Sequence, residues 1–472
     1  MQYVMRRILA MALVGSLLVA CGGGGGGSFA GIDRLGVTTG TITGFGSIIV
    51  NGVRYDTSGT SVSIDGNPAG QVSSLQVGQV VTVRWSSTDG GTTRRAEQVY
   101  YSDSVEGPIT PGSIDLPTQS FLVLGQTVLV DADTSFASPL FDLSSLADGA
   151  LNPDVVQVSG LLDSDGAIRA TRIERKAIAA ELQIRGLVSG RTASTFAING
   201  QVVNTATAVI DSPGGVISNG DFVEVKGTIV NGAGQLVATK VELEDGANRI
   251  GAANEEAEVE GYVDSLPVPT ATAFSVEGIP VISSVTPTGG TIAANAKVRV
   301  KGRFNASGAI VATEVKVRSG ASGSGASVRI AANVDSVNAA AGQFVVLGIT
   351  VVVNADTRLE DQAPNPVRNF TLANIASGDF VEVRGIPQGN NTLVATLLQR
   401  QEPDLQGVLR GPVASLTDPS FTILGVTVET DDFTVFEDDI DFFGGAVAVG
   451  DVVKVKFPLG TPIVAGEVEL ED

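Results

Sequence analysis

A chain of 472 residues is longer than one hydrophobic core usually organises, so several domains are expected, and 43% apolar residues suffice to fill their cores. The 51 acidic against 30 basic side chains leave a formal charge of −21, which repels phosphate backbones and argues against nucleic-acid partners. With no histidine and one cysteine, His-based catalytic triads, Cys/His zinc sites and internal disulfides are excluded, and an enzyme could draw only on carboxylates, Lys, Tyr or Ser.

In chain order, the first element is a secretory signal. Arg6 and Arg7 precede an apolar stretch from Ile8 to Ala20 that is too short to span a bilayer, so residues 1–20 are expected to be cleaved. The two arginines read as the basic start of that signal rather than as a twin-arginine export motif. Leu18-Val19-Ala20-Cys21 resembles the bacterial lipobox. The resemblance implies lipidation of Cys21, and several acyl chains on one residue give stable anchoring. Gly22, where inner-membrane lipoproteins carry an acidic residue, points to the outer membrane, on its periplasmic or surface side. A phosphate-binding loop needs a strand before its glycines and a helix after them. Here a signal precedes Gly22–Gly27, so residues 21–38 read as lipidated cysteine and tether.

The mature chain is six copies of one unit. "GSIIVNGVRY" (46–55), "QSFLVLGQTVLV" (119–130), "STFAINGQVV" (194–203), "TAFSVEGIPV" (272–281), "GQFVVLGITVVV" (342–353) and "PSFTILGVTVET" (419–430) share an alternating apolar run, a glycine and a second run. The glycines Gly52, Gly125, Gly200, Gly278, Gly348 and Gly425 recur every 70 to 78 residues. Each fits the second position of a two-residue hairpin turn, where positive φ is required. Phe121, Phe196, Phe274, Phe344 and Phe421 open the hairpin on its apolar face. A second element, such as "NGDFVEVKG" (219–227), sets Val223 and Val225 on one face and Glu224 and Lys226 on the other, a strand with one buried side. A third, such as "GQLVATKVE" (234–242), follows a turn, and an opening strand such as "EVEGYVDSL" (258–266) precedes the Phe strand in most units.

Opening strand, hairpin, irregular crossover and final hairpin make five strands in the order of an OB-type Greek-key barrel. The fold class is therefore all-β, a tandem array of about six small five-stranded barrels: 39–101, 105–175, 182–245, 257–318, 328–400 and 405–472. The pattern sFxVxGxxVxV, GDxVEVxG and GxLxAxxIE resembles the bacterial family known as domain of unknown function 5666, found in tandem in predicted lipoproteins. That resemblance covers about residues 39 to 471 and implies OB-like units on exported or membrane-anchored chains, without an activity. The joints "GANRIGAANEE" (246–256) and "GASGSGAS" (320–327) are polar and glycine-rich, so a bent string of barrels with at least two hinges is expected.

Few residues invite chemistry. Asp431, Asp432, Glu437, Asp438, Asp439 and Asp441 gather in one crossover and are the candidate ligands for a hard cation such as calcium, although no calcium-loop spacing backs them and a solvated acidic loop is the plain reading. Unit 1 concentrates Tyr55, Trp85, Tyr100 and Tyr101 with Arg54, Arg84, Arg94 and Arg95. Such a face could stack a sugar or a base, with Arg84 and Tyr100 as the candidate ligand-binding residues. Trp85, however, shares the core side with Val81 and Val83. The reading is a non-enzymatic, lipid-anchored envelope protein acting as scaffold, spacer or adhesion surface. It has no cofactor, no nucleic-acid partner and no catalytic residue, and its partners are the membrane and an envelope protein or glycan. A glycan- or cation-binding module is the alternative, ahead of a carboxylate-dependent hydrolase.

Overall fold

The computed structural model describes residues 34–471 apart from 90–91, 132, 141, 178–180, 245–248, 319–327, 390 and 438–441. The segment expected to be a signal, Cys21, most of the expected tether and the joint at 320–327 lie outside the described residues.

Unit 2 illustrates how each repeat closes. Its opening strand Val105–Pro108 pairs antiparallel with the fourth strand, Val155–Leu162. Ser120–Val123 and Gln126–Leu129 form the hairpin, with Phe121 opposite Val128. The third strand then runs parallel to the fifth, Ile168–Lys176, which returns antiparallel along the fourth. A bridge from Ile109 to Val123 seals first strand to second. This circuit, 1-2-3-5-4-1, is the five-stranded Greek-key barrel expected from the sequence. The other five units repeat its antiparallel first-to-fourth and parallel third-to-fifth pairings. The five repeat phenylalanines are at most 3% exposed, and Ile48 fills the same place in unit 1. Burying each such side chain stabilises its barrel by roughly 1.5–3 kcal/mol.

The hairpin turns have positive φ at both central residues, as in Asn51 (53°) with Gly52 (76°) and Leu124 (48°) with Gly125 (72°). A leucine in this region is strained, and packing must hold it there. Leu124 is buried, and it folds back over Gly107 of the opening strand, where a Cβ would come within 2.8 Å of its Cδ1. Among the described residues the crossover forms no long helix. In units 2 and 5 it makes one 3₁₀ turn, Leu143–Ser145 and Leu372–Asn374, after a short strand parallel to the fifth, Ser135–Phe136 and Arg358–Asp361.

The barrels do not form the expected string. Units 2 and 3 share a sheet through their opening strands, with Gln183 beside Glu106, and units 5 and 6 do the same, with Ile330 beside Leu409. Units 1 and 4, far apart in sequence, are joined by parallel pairing of Gly36–Thr39 with Glu256–Val259. Charges then close the three pairs on one another around the crossover of unit 2. The Glu360 carboxylate of unit 5 accepts hydrogen bonds from Arg172 (2.9 Å) and Ser135 (2.9 Å) of unit 2 and from Gln399 (2.7 Å) and Gln362 (3.0 Å) of its own barrel. Arg172 also donates to the Val77 carbonyl of unit 1. Asp133 pairs with Lys297 of unit 4, and Asp142 with Arg329 of unit 5 and Lys454 of unit 6. Asp356 of unit 5 pairs with Arg299 of unit 4 at 2.9 Å.

The reason lies in the alternation itself. The polar residue between the two valines of the fourth strand, which the sequence pattern sends to solvent, is Thr82, Gln157, Glu224, Arg299, Glu382 or Lys454 in the six units. Glu224, Arg299, Glu382 and Lys454 are all buried. Their strands have one face inside a barrel and the other against a neighbouring strand or unit. Removing one partner of a buried pair leaves the other charge uncompensated. Glu360→Ala should therefore cost about 3–5 kcal/mol in urea unfolding, and a loss below about 1 kcal/mol, the level of an exposed pair, would contradict this role.

Candidate functional site

The acidic candidates of unit 6 are placed by turn geometry. Asp431 Oδ1 accepts from the Phe433 N–H at 2.9 Å, its own N–H donates to Thr434 Oγ1, and that hydroxyl donates to the Ala465 carbonyl. Unit 2 repeats these contacts at Asp131, Thr134 and Ala170, and unit 5 at Asn354, Thr357 and Ala395. Asp431 is thus one copy of a turn that ties the crossover to the fifth strand. Asp432 is exposed. Glu437 shares a hydrogen bond with Glu467, which pushes it up to about 7. Asp438, Asp439 and Asp441 lie outside the described residues, as does Cys21. Among the described residues, no group of three or more acidic, His or Cys side chains is placed to hold a metal ion.

The aromatic cluster of unit 1 is turned inward. Trp85 is 2% exposed and donates through Nε1 to Thr38 Oγ1 at 3.2 Å. The Arg94 guanidinium lies 4.2 Å from the Trp85 ring centre, donates to the Tyr55 hydroxyl at 3.1 Å and stands 3.8 Å from Glu256 and Glu258 of unit 4. A cavity of about 270 Å³ opens beside it, walled by Glu256, Glu258, Lys301 and Arg303. Here the arginine itself occupies the aromatic face that a ligand would need. Arg84 donates to the Ile250 carbonyl at 3.0 Å, pinning the segment that leads into unit 4. Tyr100 donates to Gln98 and sits in the wall of a second cavity.

That second cavity, of about 280 Å³, is built by four units. Unit 1 gives Thr82 and Tyr100, unit 2 Leu162, unit 3 Arg185, and unit 4 Glu277, while Arg249 enters from the joint between units 3 and 4. Arg185 Nη2 reaches Glu244 at 3.3 Å and its Nε stands 3.8 Å from Glu224; Arg249 Nη2 is 4.0 Å from Glu277. Glu277 occupies the first turn position of its hairpin, at φ 51°, where the other units have Asn51, Leu124, Asn199, Leu347 and Leu424. Burial raises Glu277 to about 7 against the opposing pull of Arg249. The sequence reading missed Arg185, Arg249 and Glu277. The one available signal was a charge at a turn position that is neutral in every other copy.

Six segments, 37–99, 106–174, 185–242, 260–316, 332–399 and 410–469, match the model of a single family, described as domain of unknown function (DUF5666). The chain belongs to this family. A comparison with curated proteins finds no match. Family membership accounts for the six barrels and leaves their role to be argued from this chain's own residues.

Glu277 carries a pH dependence of definite sign. Its folded-state value of about 7 lies above the usual 4.5, so it favours the folded state below the unfolded value, and that contribution is lost as pH rises through about 7. Glu277→Gln does not titrate, and should gain about 3 kcal/mol relative to wild type between about pH 4 and pH 8 in chemical denaturation. A pH-independent difference between the two proteins would contradict the assignment.

Proposed function

We propose that the chain is a non-enzymatic lipoprotein of the bacterial envelope, anchored to the outer membrane through Cys21, whose six barrels act as one rigid block that positions envelope partners. The observation that carries this reading is the use of buried charge. Asp133, Asp142, Asp356 and Glu360 each engage a cation of another unit, fixing small barrels against one another rather than standing as free acid–base pairs. A chain that commits so much buried charge to relative orientation presents a fixed surface. Export and anchoring are supported by Arg6 and Arg7, the apolar stretch to Ala20 and the lipobox-like Leu18–Cys21, with Gly22 favouring the outer membrane.

A binding role is the second reading, and one observation favours it: Tyr100, singled out from the sequence, lines a cavity to which four units contribute. The cation-binding variant has less support, since Asp431 is engaged in its turn. The decisive test of the anchor is Cys21→Ser expressed in the native host. The variant should leave the membrane fraction for the soluble fraction, and its retention in membranes at wild-type level would overturn the proposal.

A further inference from the structure

The four-unit cavity holds two cations whose hydrogen-bonding capacity is unmet. A guanidinium has five N–H donors in a fixed plane and does not shed its proton. Arg249 has its Nε buried without a hydrogen-bond partner, and its ion pair with Glu277, at 4.0 Å, is too long for a hydrogen bond. Arg185 likewise has a buried, unpartnered Nε, and its one hydrogen bond to a carboxylate is to Glu244 at 3.3 Å. Burial, and after it the nearby positive charge of Arg185, lower the value of Arg249 from its ordinary one. Like charges held together in a cavity, with planar donor edges unfilled, suit a carboxylate, which accepts two parallel N–H bonds.

The same cavity also presents acceptors. Glu277 Oε1 is buried without a partner, on a side chain 10% exposed, while the carboxylate is steadied by the Leu162 N–H. Its position is fixed from behind, because Gly261 leaves room for it: a Cβ there would lie 2.6 Å from Glu277 Cγ. Glu242 and Glu244 stand in the same wall, with Ser102 and Ser104, and Leu161 and Phe222 provide apolar surface. With Glu224 behind Arg185, four carboxylates stand beside two arginines and disfavour a dianion such as phosphate. They suit a molecule with one negative charge and several hydroxyl donors. A volume of about 280 Å³ has room for one sugar ring.

We infer that the cleft between units 1, 2, 3 and 4 binds a hydroxylated monocarboxylate of sugar-acid chemistry and monosaccharide size. Arg185 and Arg249 take its carboxylate, and Glu277 and Glu244 accept from its hydroxyl groups. No single barrel contains this set, so the site exists only in the assembled block. It requires no lipid on Cys21, so failure of the anchor and failure of this site are separable.

The test is calorimetric titration of the full chain, purified in mild detergent at neutral pH, with D-glucuronate, D-galacturonate, D-glucose and inorganic phosphate. At least one uronate should bind with Kd below about 1 mM, and glucose should be weaker by roughly tenfold or more, because it lacks the charge-assisted bonds. Arg249→Gln should weaken the uronate by roughly tenfold. Arg185→Lys, which keeps the charge but loses the planar fork, should weaken it severalfold, with the melting midpoint confirming that each variant is folded. The inference is overturned if neither uronate binds at about 10 mM, if glucose or phosphate binds as tightly, or if both folded variants bind like wild type. The wild-type comparison of uronate with glucose stands even where a variant fails to fold.

Discussion

A carboxylate taken out of water must find cations and donors in compensation, and Glu360 sets the terms for how these barrels assemble. It draws two donors from unit 2 and two from its own unit into one carboxylate. Desolvating such a group costs several kcal/mol, and the pair formed with Arg172 offsets this only with good geometry and all remaining lone pairs occupied. The arrangement therefore discriminates between alternative packings more than it adds net stability. A barrel docked in the wrong register would leave Glu360 without Arg172 and the buried Lys297 without Asp133. For six copies of one fold, whose apolar surfaces resemble one another, that penalty is what assigns each copy its place.

The fold was legible because a barrel is a local object. Period-two alternation put Val223, Val225 and the five phenylalanines inside, and glycine marked turns that need positive φ at their second position. The same rules were silent where tertiary packing overrides local preference. Leu124, Leu347 and Leu424 occupy the left-handed region at the first turn position, which no propensity suggests. Leu124 is held there by the space that Gly107 leaves, a residue some 17 positions earlier that reads only as a weak point in a strand.

The assembly was illegible for a different reason. Alternation says which side chains leave a barrel core and does not say whether water or another barrel receives them. Glu224, Arg299, Glu382 and Lys454 look like an ordinary solvated face, yet each is buried. Arg249 looked like part of a flexible joint, and it enters a cavity whose other walls come from residues up to 210 positions away in sequence. The residues singled out by type fared according to their local role: Trp85 and Arg94 satisfy one another, Asp431 shapes a turn, and Tyr100 lines the cavity built by four units.

Small-angle X-ray scattering on residues 22–472 distinguishes six barrels packed as one body from six barrels on a string. A compact chain of this length should have a radius of gyration of about 22 Å, whereas six such barrels strung end to end would give roughly 40 Å or more. A value close to the first, unchanged between low and moderate salt because the pairs that close the block are buried, is the predicted result. A value near the second would show independent barrels on a string and contradict the account.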